Sequence, residues 1–100
     1  MIGKPKPTIT VHLKVAGFVD RKMITAELDL PLPEGSSVKE LFAVADKSGR
    51  LPPKVMKKML GSPRPPTILL NGRGLDVPDE LGQKLGAGDD IAVMTPMAGG

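Results

Sequence analysis

The sequence contains no cysteine, tryptophan or tyrosine, and only two phenylalanines and one histidine in 100 residues. Without cysteine there are no disulfides, no thiolate metal sites and no thiol nucleophile. That absence also fits a reducing compartment. His12 stands alone, so a transition-metal site lacks its usual ligands and no Ser/His/Asp set can be assembled. The scarcity of aromatics removes the stacking platforms that single-stranded nucleic acids need, and the net charge of +3 is only a mild basic excess. No apolar run approaches membrane-spanning length. Met1 to Pro7 carries Lys4 and Lys6 but no apolar stretch of the kind a secretion signal requires. The expectation is a soluble cytoplasmic domain with neither nucleic acid nor a membrane as partner.

What is present is an aliphatic chain of single-domain size, with six methionines as adaptable fillers or contact residues. Charge is unevenly spread: residues 34–64 hold seven basic and three acidic side chains, residues 65–100 two basic and five acidic. From Thr8 to Val15 the pattern alternates, with Ile9, Val11, Leu13 and Val15 on one side and Thr8, Thr10, His12 and Lys14 on the other. This predicts a strand with one buried face. Gly17 to Lys22 supplies a turn, and alternation resumes at Ile24, Ala26, Leu28 and Leu30. The pair reads as an opening hairpin, ended by Pro31 and Pro33. Ser37-Val38-Lys39-Glu40 forms a capping box. Val38, Leu41, Phe42 and Ala45 then make one apolar helical stripe, closed by Gly49, to lie across the hairpin.

Pro52 and Pro53 precede a short second helix over Lys54–Leu60, with proline in its first turn and Gly61 at its end. Lys54, Lys57 and Lys58 read as a solvated helix face, and Ser62 to Pro66 as a stiff connector. Thr67–Leu70 is a short strand. Asn71-Gly72 is a strong hairpin signal, because both residues tolerate positive φ, and Leu75 and Val77 make the return. Pro78 to Leu81 opens a single helical turn that pairs Leu81 with Leu85. Asp89 and Asp90 are adjacent and would point to opposite faces of a strand, so they suit strand entry better than shared-proton chemistry. Gly72-Arg73-Gly74 has neither the spacing nor the lysine of a phosphate loop. Ile91 to Met94 is the final strand, with Ile91 and Val93 facing the core and Ala92 and Met94 the opposite face. No self-contained active site emerges. The fold class is α+β, with a mixed sheet packed on one main helix.

The chain then runs Thr95-Pro96-Met97-Ala98-Gly99-Gly100. Pro96 lacks an N–H and fixes its own φ, which releases the strand. Two glycines without Cβ atoms let a carboxylate thread a narrow channel, which suits a terminus that is itself the reacting group. Asn71-Gly72-Arg73, Leu85, Gly88-Asp89-Asp90-Ile91-Ala92-Val93 and Pro96-Met97-Ala98-Gly99-Gly100 together resemble the molybdopterin-synthase small subunit and thiamine sulfur-carrier (MoaD/ThiS) family. The match covers roughly the last thirty residues.

That resemblance implies a ubiquitin-like β-grasp domain over residues 8–95, between a flexible N-terminus, 1–7, and a flexible Gly-Gly tail, 96–100. It implies a substrate or small subunit of partner enzymes, with no bound cofactor. An E1-like adenylating enzyme would spend ATP to convert the Gly100 carboxylate, presented behind Gly99, to an acyl-adenylate. A sulfur donor would then make the thiocarboxylate, for delivery to a sulfur-accepting synthase subunit in molybdopterin or tungsten-cofactor synthesis. Ala92, Met94, Pro96, Met97 and Ala98 are the expected partner-binding residues. Thiamine-type or sulfur-amino-acid synthesis, or a lysine ε-amine as acceptor in a protein modifier, would use the same activation. A non-reactive β-grasp interaction module is the third possibility.

Overall fold

The computed structural model describes residues 7–19, 21–64, 66–77 and 79–95. In chain order the elements are β1 (Thr8–Val19), β2 (Lys22–Pro33), α1 (Val38–Lys47), α2 (Val55–Leu60), β3 (Thr67–Leu70), β4 (Arg73–Leu75) and β5 (Asp90–Met94). They form one five-stranded sheet in the order β2-β1-β5-β3-β4. β5 runs parallel to β1, and the other three pairings are antiparallel. With α1 on one face, this is the ubiquitin-like β-grasp arrangement.

The opening hairpin is longer than its sequence pattern predicts. Pairing continues from Thr8↔Pro33 to Val19↔Lys22, so Gly17 to Val19 belong to β1 and Lys22 to β2 rather than to a turn. Arg21 takes the positive φ, 65°, that a tight hairpin turn requires. Nor do Pro31 and Pro33 end β2. The Glu34 N–H donates to Pro7 O at 2.7 Å, which makes Glu34, Leu32 and Leu30 the residues that bond to β1. The intervening prolines turn their N–H-less nitrogens toward the open edge of the sheet, where no ladder is lost. Arg50 Nη1 covers the Asp29 carbonyl on the same edge at 3.2 Å. The edge is thereby closed to further strand pairing along part of its length.

α1 begins with the expected reciprocal cap: Glu40 N–H donates to Ser37 Oγ at 3.2 Å, and Ser37 N–H to Glu40 Oε1 at 3.3 Å. Two further first-turn donors, Val38 N–H and Lys39 N–H, bond to Gln83 O and Leu81 O at 3.0 and 2.9 Å. The segment that supplies those carbonyls is not the helical turn predicted for 78–85. Residues 79–82 are turns, Lys84 bridges Ser37 in antiparallel fashion, and Leu85 N–H bonds to Ser36 O at 2.8 Å. The segment thereby offers α1 two carbonyls that a continuing helix would have used internally. Val77 likewise lies beyond β4 rather than in it.

α2 starts one residue later than predicted, and its prolines precede it. Lys54 sits in the left-handed region (φ 57°) and offers no side-chain cap. The cap comes instead from α1: the Asp46 carboxylate accepts from Met56 N–H at 2.9 Å and Lys57 N–H at 3.1 Å.

The core lies between the sheet and the helices. Val11, Leu13, Leu28, Leu30, Ile68, Ile91 and Val93 from the sheet meet Val38, Leu41, Phe42, Ala45, Val55, Met56 and Met59 from the helices. Truncating Leu28 or Leu41 to alanine is expected to destabilise the protein by about 2–5 kcal/mol each, read from urea denaturation. A cost below about 0.5 kcal/mol for both, as at surface sites, would contradict this packing.

Candidate functional site

β5 brings Ala92 and Met94, two of the predicted site residues, to the middle of the sheet, and its start is held by a knot of short side chains. Asp89 does not share the strand with Asp90; it lies in the preceding turn. Its Oδ2 accepts from Gly86 N–H at 2.7 Å, and its Oδ1 from Asn71 Nδ2 at 3.0 Å. Asn71 Oδ1 accepts from Asp90 N–H at 2.9 Å, and Asn71 N–H donates to Asp90 O at 2.7 Å. Asn71 therefore serves twice, as the positive-φ turn residue (51°) and as the latch between the β3–β4 turn and β5. On the other side His12 N–H reaches Asp89 O, and Gly88 N–H reaches Thr10 O, both at 2.9 Å.

The far end of β5 is tied to β1. Thr95 N–H donates to Ala16 O at 3.0 Å, and Thr95 Oγ1 accepts from Phe18 N–H at 3.0 Å. The expected site residues Pro96, Met97, Ala98, Gly99 and Gly100 lie outside the described residues.

Ala92 and Met94 both face away from the helices. Ala92 is half-buried and Met94 is 40% exposed. In register beside them on β1 are Lys14 and Ala16, and Ala92 faces Leu69 of β3. A shallow concavity of about 300 Å³ is lined by Lys14, Ala16, Thr25, Glu27, Ala92 and Met94 among others. Beyond it Phe18 and Met23 pair directly across the hairpin, 44% and 52% exposed. Sequence reading set Met23 on the face opposite Ile24 without counting it among the contact residues, and missed Phe18 because it placed the turn at Gly17–Lys22. Carrying the period of two past Gly17 would have set Phe18 on the open face. Phe18, Met23 and Met94 give this end of the open face an exposed apolar character.

The other end is charged. His12 Nδ1 lies 2.7 Å from Asp29 Oδ1, and Nε2 lies 3.2 Å from Glu27 Oε1. Lys14 Nζ is 3.8 Å from the same Glu27 oxygen. Asp90 stands beside His12 in the parallel register, and its Oδ1 is buried with no hydrogen-bond partner among the described residues. Hydrogen bonds to Asp29, then to Glu27, raise the His12 pKa above its ordinary value of 6.5. The cluster thus favours an imidazolium that links neighbouring carboxylates of β2.

A raised folded-state value means that protonation stabilises the fold. This contribution is complete below the unfolded-state value, about 6.5, and is lost as pH climbs through the raised folded-state value. Urea midpoints measured between about pH 5 and 8 should therefore fall more steeply with pH in the wild type than in His12→Gln. Parallel profiles would exclude the linkage.

No family model and no curated protein matches the chain, so its likeness to the sulfur carriers rests on the motifs of its last thirty or so residues. Among solved structures, the solution structure of the Haloferax volcanii HVO 2177 protein is similar, with a TM-score of 0.57 at 19% identity, covering 100% of this chain and 94% of that one. The ubiquitin of Caldiarchaeum subterraneum matches at a TM-score of 0.41 and 19% identity, over 91% of this chain and 99% of its own. A superantigen-like protein from Staphylococcus aureus matches at 0.40 and 16%, over 94% and 55%. The last two likenesses are too loose to bear on this chain, and the first speaks to fold alone. By strand order, register and helix placement, the chain is a ubiquitin-like β-grasp protein.

Proposed function

We propose that this protein is a sulfur carrier whose Gly100 carboxylate is the reacting group. The observation that supports this reading most is the Pro-Met-Ala-Gly-Gly sequence directly behind Thr95, where the central strand of a β-grasp sheet ends. A carboxylate accepts a nucleophile poorly until one oxygen becomes a leaving group. In the proposed reaction a Gly100 oxygen attacks the α-phosphate of ATP on an E1-like adenylating partner, and pyrophosphate departs. A sulfide-equivalent donor then adds to the acyl carbonyl and expels AMP, leaving a thiocarboxylate. A synthase subunit that accepts this sulfur completes the sequence, with molybdopterin or a related tungsten cofactor as the proposed product. The protein's own part is that of a substrate with a rigid body and side-chain-free terminal residues.

Intact mass of the protein purified from its native host tests this. A single oxygen-for-sulfur exchange at the C-terminus is expected; conjugates to other proteins would instead mark a modifier, and an unaltered terminus an interaction module. Deleting Gly100, or replacing Gly99 by valine, should abolish adenylation and leave the melting temperature unchanged. Full sulfur transfer by the Gly100 deletion would refute the carrier reading.

The open face supports a place for the partner. Met94 lies on the last strand before the tail, and the flexible thioether suits a surface that two enzymes meet in turn. Met94→Asp should weaken binding to the adenylating enzyme at least about tenfold, through a charge stranded in a desolvated contact. Its cost to the fold should stay within about 1 kcal/mol, the span of strand propensities. Titration calorimetry beside a melting curve checks both, and unchanged affinity or a collapsed fold would remove Met94 from the interface.

A further inference from the structure

β5 ends in a fastening that depends on a glycine in the neighbouring strand. Ala16 O and Phe18 N–H, the two partners of Thr95, flank Gly17 in β1. Gly17 is buried. A Cβ on it would lie 2.8 Å from Thr95 Cβ and 3.0 Å from Thr95 N, and closer still to Thr95 Oγ1. Two of these atoms belong to the backbone or its first branch, so no rotamer change clears them. Relief requires Thr95, and the end of β5 with it, to move away from β1. Glycine inside a strand otherwise weakens it and often marks a close approach by another backbone. Here the approach is that of Thr95.

The residue behind the fastening is Pro96. Proline biases its predecessor toward extended geometry and fixes its own φ, so the seat of Thr95 sets where, and in which initial direction, the chain departs. The five residues from Pro96 to Gly100 span at most about 17 Å. A displaced root therefore shortens or misdirects the reach of Gly100 into a partner's active site.

We propose that Gly17 and Thr95 are positioning residues. Together they fix where, and in which direction, the C-terminal segment leaves the sheet, and so how the Gly100 carboxylate is aligned with the ATP α-phosphate. This inference rests on the carrier reading. It predicts a defect in the chemical step rather than in docking, because Met94, Met23 and Phe18 present their side chains on the opposite face of the sheet.

The test is ATP–pyrophosphate exchange by the adenylating enzyme of the same cell, with melting curves on every variant. Thr95→Val keeps the shape of the side chain but leaves Phe18 N–H without its acceptor. It should lower kcat about tenfold with KM within about threefold, while Thr95→Ser, which keeps the hydroxyl, stays near wild type. Gly17→Ala should cost about a hundredfold in kcat, the scale of a 1 Å misplacement. Adding Thr95→Gly to it removes the two nearest obstructing atoms, Oγ1 and Cβ, and leaves only the amide N at 3.0 Å; it should restore activity to the Thr95→Val level, a coupling that independent sites would not show. Unchanged kcat in both single variants, a loss confined to KM, or losses that simply follow melting temperature would overturn the proposal. If the wild type supports no exchange, the carrier reading fails on its own. Residual dipolar couplings of the residue 97–100 amides then decide the positioning claim. Couplings that reorient or collapse in Gly17→Ala uphold it, and couplings identical to wild type overturn it.

Discussion

β5 sits third of five in the sheet, and the two ladders it makes hold the fold together. On one side it joins the β1–β2 hairpin through parallel pairing, on the other the β3–β4 hairpin through antiparallel pairing. Neither hairpin pairs with the other, so the sheet exists only as far as β5 bridges them. Isolated two-stranded hairpins are marginal in water, and β5 turns two of them into one continuous apolar face. Ile91 and Val93 are fully buried in consequence. The knot of Asn71, Asp89 and Asp90 works at the strand's entry, where the register of both ladders is set. A slip of one residue there would send Ala92 and Met94 inward and Ile91 and Val93 out.

The two faces of the sheet follow different chemical rules. The helix side is aliphatic apart from Phe42, as an aromatic-poor sequence demands, with Met56 and Met59 filling the space that rings occupy elsewhere. The open side is graded along the strands. His12, Glu27, Asp29 and Asp90 gather at one end, and Phe18, Met23 and Met94 at the other. The apolar end is also the end at which β5 finishes. In the proposed reaction, a partner that handles residues beyond Thr95 would approach from this apolar end.

The elements that could be read in the sequence were those specified within a few residues. The Ser37–Glu40 box, the Asn71-Gly72 turn, the stripe from Val38 to Ala45 and the alternation of β1 and β5 all have local causes, and all are present. The misread features depend on neighbours far along the chain. Pro31 and Pro33 end a strand unless it is the sheet's edge, and edge position depends on the whole strand order. Gly17 resembles a turn residue until Thr95, distant in sequence, is seen to require its missing Cβ. The Asp46 carboxylate caps a helix other than its own. Segment 79–85 resembles a helical turn by its leucine spacing, yet its carbonyls serve the N-terminus of α1. The apolar open face was partly visible: Met94, Ala92 and Met23 could be placed by alternation, whereas Phe18 was hidden by the misplaced turn.

Stability and the proposed reactivity are thereby separated along the chain. The buried apolar side chains run from Ile9 to Val93, so the described core ends before the last residue of β5. In the proposed reaction, a terminus that follows this described core would match the channel of a partner without asking the core to change. The two functions still meet at one residue. Thr95 is held by two hydrogen bonds, each worth about 1 kcal/mol net, a small share of a domain's stability of about 5–15 kcal/mol. For the proposed positioning role the same two bonds are decisive, because among the described contacts they are the last tie between chain and sheet before the C-terminal segment. A strand glycine that lowers the stability of β1 is accommodated in this fold because it lets Thr95 seat there.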